Sequence, residues 1–78
     1  MNPETRAVAD FLSSPETYTD ILTIVQEAQS DEHAAEQIEN YVKVQRRGPK
    51  ELYQHFAEDN GDFRNVDWLA VAQDFKSD

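Results

Sequence analysis

The chain has 78 residues, 16 of them acidic against seven basic, and a net charge of −9. That length makes one domain, below the roughly 100–150 residues common among domains, and eight aromatic side chains exclude a wholly disordered acidic polymer. The lack of cysteine excludes disulfides, thiolate catalysis and cysteine-based zinc sites, while the acidic field repels nucleic acid and anionic membrane and attracts basic protein surfaces.

The start, Met1-Asn2-Pro3-Glu4-Thr5-Arg6, lacks the basic run and apolar stretch of a signal peptide. No segment approaches the roughly 20 apolar residues of a membrane span. The expectation is a soluble cytoplasmic protein that meets no membrane. Asn2-Pro3 reads as an N-cap followed by proline at the first helical position. It predicts a helix over 3–12 with Val8, Phe11 and Leu12 on one face. Ser14-Pro15 repeats the signal, and Tyr18, Ile21, Leu22, Val25 and Ala28 carry the apolar period of a helix over 15–29.

Ser30 caps a third helix over 31–46, with Ala34, Ala35, Ile38, Tyr41 and Val42 inward. Gly48-Pro49 closes it and opens a fourth over 49–59, which carries Leu52, Tyr53 and Phe56. Asn60-Gly61 reads as a stop, and residues 59–66 as an ordered loop. Asp67 is an N-cap, with Val66 and Val71 at the positions of a hydrophobic staple. It begins a fifth helix over 67–76 that carries Leu69, Ala72 and Phe75. The fold expected for residues 1–78 is all-α, a compact bundle of four to five short helices in a single domain. Its two longest helices form an antiparallel hairpin around Ser30.

No catalytic signature emerges. His33 and His55 each have acidic neighbours, but zinc needs at least three converging ligands, often two histidines one turn apart. These two lie 22 positions apart, in different predicted helices. Asp59-Asn60-Gly61-Asp62 fails as a calcium loop, because placing Gly61 at the invariant glycine position puts Phe56 where a carboxylate must stand. The serines and threonines from Ser13 to Thr23 lack a nucleophile elbow, and no phosphate-cradling glycine loop exists. The chain is therefore expected to be no enzyme, with no metal and no cofactor.

Charge is the informative pattern. Residues 7–42 contain no base, whereas Lys43, Arg46, Arg47 and Lys50 crowd into eight positions. On helical projection Glu16, Asp20 and Glu27 line up opposite the apolar face of the second helix. Glu32, Glu36 and Glu39 do so on the third, ending at Lys43. A solvated helix exterior explains such rows, yet ordinary exposed helices interleave lysine with glutamate four residues apart. A face that meets a basic partner explains the missing lysine. The basic knot suggests instead a phosphate-binding turn, which the overall negative field opposes. It also has a sufficient role in offsetting a helix C-terminal dipole. Ile24 and Val44 lie off the core faces and suit a contact surface or dimer seam.

The tail Asn65-Val66-Asp67-Trp68-Leu69-Ala70-Val71-Ala72-Gln73-Asp74-Phe75 resembles the ending of small acidic proteins carried by phages and plasmids, which runs Val-Asp-Trp, then an Ile/Val-Ala pair, then an acid. Antirestriction and anti-CRISPR proteins are among these, and several act as DNA mimics. The resemblance covers about a seventh of the chain. Its residues also have a plain structural explanation, an N-cap with Trp68, Val71 and Phe75 inward, so it implies no site residue.

The functional expectation is a non-catalytic acidic protein that binds a basic protein surface through Glu16, Asp20, Glu27, Glu32, Glu36 and Glu39. Its sharpest form is a DNA-mimic inhibitor of a nucleic-acid-handling enzyme. The alternative is a small helical adaptor or homo-oligomeric module that uses apolar faces.

Overall fold

Asn2 begins the fold as its sequence suggests. Its side-chain oxygen accepts the Thr5 amide at 2.7 Å, with Pro3 as the first residue of helix α1, Pro3–Leu12. In the computed structural model, which describes residues 2–47, 50–58 and 63–76 except the side chains at 55, 57 and 58, four further helices follow. They are α2 (Tyr18–Glu27), α3 (Asp31–Lys43), α4 (Lys50–Glu58) and α5 (Trp68–Lys76). A short 3₁₀ turn, Phe63–Asn65, precedes α5. The protein is a compact all-α bundle, with no strand among the described residues. The expected stops at Gly48-Pro49 and Asn60-Gly61 lie outside the described residues.

Local chemistry sets three of the helix starts, Asn2 among them. The Ser30 hydroxyl accepts the His33 amide at 3.1 Å, and the Asp67 carboxylate accepts the Ala70 amide at 3.2 Å. Val66 and Val71, flanking that second cap, are both buried. Two boundaries differ from expectation. α2 begins at Tyr18 instead of residue 15, because the Ser14 carbonyl accepts the Thr17 and Tyr18 amides in a separate turn. The Thr17 hydroxyl is drawn inward to the Leu12 carbonyl at 2.8 Å, so it caps nothing.

α3 ends at Lys43 instead of residue 46. Arg46 takes a left-handed backbone with φ 50°, while the Gln45 and Arg47 amides close onto the Asn40 and Tyr41 carbonyls. A left-handed arginine is unusual and needs support from its surroundings. Tyr53 of α4 supplies it. The Tyr53 hydroxyl contacts the Val42 carbonyl at 3.2 Å and the Arg47 carbonyl, and the Arg46 guanidinium lies 4.6 Å above its ring.

α5 is the hub, packed against α1, α2 and most extensively α3. The expected α2–α3 contact exists but is the lesser one for α3. Ala34, Ala35 and Ala72 are all buried, and side chains this small bring the α3 and α5 backbones close. Val8, Leu12, Ile21, Ile38, Val42, Leu52, Val71 and Phe75 are fully enclosed. Phe56 stacks on Phe63 with centroids 4.5 Å apart, and Phe63 reaches Trp68 at 6.2 Å, which ties α4 to the start of α5. The Asn2 amide donates to the Asn65 carbonyl at 2.8 Å, and the Asp67 amide to the buried Thr5 hydroxyl at 2.8 Å. Two helix N-termini, α1 and α5, are thereby clipped together. The radius of gyration, 11.3 Å, is close to the about 11.5 Å expected for a compact chain of this length.

Candidate protein-binding surface

The six carboxylates singled out by charge pattern fall into three environments. Glu16 sits in the turn before α2, so it does not extend a helical row with Asp20 and Glu27 as projected. Asp20 is engaged, because its Oδ2 accepts the Tyr41 hydroxyl of α3 at 3.0 Å. Glu39 is also engaged, in an ion pair with Lys43 one turn on at 3.0 Å. Glu27, the last residue of α2, together with Glu32 and Glu36 on α3, remains. Among the described residues, Glu16, Glu27, Glu32 and Glu36 carry no hydrogen bond or ion pair to their carboxylates, and all four are exposed.

The seam between α2 and α3 is a shallow groove in two parts. One hollow of about 160 Å³ is lined by Ile24, Glu27, Ala28, His33 and Gln37. The next, of about 320 Å³, adds Asp20, Thr23, Tyr41, Gln45 and Arg47, and shares Ile24 and Gln37 with the first. Glu27 thus overlooks one end and Arg47 the other. Beyond α2 a third hollow, about 410 Å³, lies between Leu22, Val25 and Phe75. The ion pair of Lys76 with Asp31, at 3.0 Å, joins two residues of its lining.

Burial pushes the Tyr41 phenol up to about 12, and the hydrogen bond and charge of Asp20 add to that, while nearby Arg47 opposes it. Tyr53 is also raised, first by burial, with Arg46 acting against it. Tyr41 was legible in the sequence only as a core residue of α3. The signal for its partner was there nonetheless: a buried phenol needs somewhere to place its hydroxyl.

Three of the four cations of the basic knot have uses within the fold. Lys43 pairs with Glu39, Arg46 covers Tyr53, and Arg47 lines the groove beside Tyr41 and Asp20. His33 is likewise occupied: its Nδ1 accepts the Gln29 amide at 3.2 Å, and its Nε2 lies 3.4 Å from the Gln37 side-chain amide. No group of three or more His, Asp or Glu side chains converges for a metal among the described residues. The side chain of His55 lies outside them. No helix among the described residues is long and apolar enough to cross a membrane.

No protein-family model, curated protein or solved structure matches the chain. What it does must be read from its own surface.

Proposed function

We propose that the protein is a non-catalytic cytoplasmic binder of a basic surface on another protein. The observation that carries this reading is the set of four exposed carboxylates without a described partner, on a stretch of chain that holds no base from residue 7 to residue 42. Glu27, Glu32 and Glu36 are its main contacts, with Glu16 on the turn before α2. Asp20 and Glu39 contribute charge to the field but are held by Tyr41 and Lys43. The engagement of Lys43 and Arg46 inside the fold also favours a protein partner over direct contact with phosphates.

In its sharper form the carboxylates stand in for nucleic-acid phosphates, and the partner is a nucleic-acid-handling enzyme whose groove they occupy, as the C-terminal resemblance to phage- and plasmid-borne DNA mimics implies. Contacts of this type are electrostatic and weaken with ionic strength.

A capture experiment from the native cell, run at low and at high salt, tests the reading. The expected result is a protein retained at low salt, released at high salt and displaced by duplex DNA. Retention that is insensitive to salt would favour the second reading, an adaptor that uses apolar contacts, for which exposed Val44 is the supporting observation.

A further inference from the structure

The face of α3 turned away from the bundle is arranged evenly about Asn40. A concavity of about 460 Å³ opens there, lined by Glu36, Gln37, Glu39, Asn40, Lys43 and Val44. Val44 at its edge is 72% exposed, the one large hydrophobic side chain so exposed among the described residues. It keeps the helical register, since its backbone is still right-handed. Gln37, Asn40 and Val44 follow the alternating three- and four-residue spacing by which helices pair along a seam.

We propose that this face pairs antiparallel with the same face of a second copy of the chain, about a two-fold axis beside Asn40. In such a register, residues on the same flank whose distances before and after the axis agree to within one position, about 1.5 Å of helix rise, meet. Glu36 lies four positions before Asn40 and Lys43 three after, so each Glu36 carboxylate meets the other copy's Lys43, whose ammonium keeps its own-chain pair with Glu39 and has donors left for a second carboxylate. Gln37 lies three before and Val44 four after, so each Val44 closes over the other copy's Gln37.

At about 3.6 residues per turn, Glu36 and Lys43 share one flank of the helix, and Gln37 and Val44 share the other. The two-fold operation leaves each flank on its own side, so both contacts form together and each is made twice. Asn40 carries both donors and an acceptor, so it hydrogen-bonds its own image. A single polar residue of this kind in a pairing seam fixes register. One face of a 13-residue helix buries less than the about 800 Å² per partner of a standard interface, so the dimer is weak and forms only at high protein concentration. The net charge of −9 on each copy opposes association at long range. At physiological ionic strength that repulsion is screened over about 8 Å, well under the 22 Å short dimension of the molecule. The pairing shares Glu36 with the proposed basic partner, so the two compete for that carboxylate, but it forms in the isolated chain whether or not such a partner exists.

Sedimentation of the isolated full chain at physiological salt, from about 10 μM (−6.8 kcal/mol) to about 1 mM (−4.1 kcal/mol), the span of weak association, is the test. The mass should rise from 9.0 kDa toward twice that value. Glu36→Lys alone and Lys43→Glu alone should each stay monomeric. Their equimolar mixture should dimerise, because opposite charges then meet at both contacts. Val44→Glu, a change at an exposed position that leaves the fold intact, should also stay monomeric. A wild-type mass that holds at 9.0 kDa throughout, a mixture no heavier than its components, or a Val44→Glu chain that dimerises as well as wild type would each overturn the proposal.

Discussion

The Tyr41 hydroxyl donates to Asp20 Oδ2 at 3.0 Å, joining α2 to α3 across 21 positions of sequence. This contact takes one of the six candidate carboxylates out of the free acidic surface and gives it work inside the fold. It separates Asp20 from Glu27, Glu32 and Glu36, and the two groups should behave differently when changed.

Asp20→Asn should therefore weaken binding to a basic partner less than Glu36→Gln does, although each removes one charge. Tyr41→Phe should leave binding intact while lowering stability by about 1 kcal/mol, the typical net worth of a hydrogen bond whose acceptor remains open to water. Urea unfolding of Tyr41→Phe, paired with affinity measurements on the two carboxylate variants, separates these roles.

Tyr41 also predicts how the protein responds to alkali. Its phenol is raised from 10.0 to about 12 in the folded chain, first by burial and then by Asp20. The unfolded chain therefore loses this proton at lower pH than the folded chain, and ionisation favours unfolding. The stabilising contribution is complete below pH 10 and is lost as pH rises toward 12. An ultraviolet phenolate titration should show a late-ionising tyrosine that disappears in Tyr41→Phe.

Glu27 closes α2, where the helix dipole is negative, and no base occupies that last turn. Glu27→Lys should therefore stabilise the fold by about 0.3–1 kcal/mol. The same change should weaken binding to a basic surface. A variant that is more stable yet binds less would mark Glu27 as a residue placed for its partner rather than its helix. Thermal unfolding and affinity, measured on one sample, decide the matter.

Arg46 combines a left-handed backbone with a guanidinium over Tyr53. Arg46→Ala forfeits the cation–π contact, about 0.5–1 kcal/mol at an exposed site, and keeps a side chain where the backbone favours none. Arg46→Gly forfeits the same contact but fits the backbone at no steric cost. Glycine should be the less destabilising of the two in urea unfolding. The opposite order would contradict a left-handed backbone at residue 46.

Much of the fold was legible in short-range signals. Asn2, Ser30 and Asp67 cap helices through bonds that span three residues, and the apolar periods mark faces within single helices. Signals failed where a residue had two uses. Ser14-Pro15 carries the grammar of a helix start, but Thr17 is drawn inward to Leu12 and delays the helix to Tyr18. Gly48 marked a plausible end for α3, yet Arg46 turned the chain earlier because Tyr53, seven residues on, holds it there. The candidate surface was legible as charge and illegible as pairing. Asp20 with Tyr41 and Asp31 with Lys76 are contacts between different helices, and periodicity within one helix carries no information about its neighbour.

The most direct test of the acidic-surface reading is the affinity of a captured partner for wild type and for a chain carrying Glu27→Lys, Glu32→Lys and Glu36→Lys, at low and at high salt. None of the three side chains is buried, so the variant should fold. The reading predicts that affinity drops at least about tenfold, roughly 1.4 kcal/mol, with most of the salt dependence lost. Equal affinity for both chains, with the same salt dependence, would contradict it.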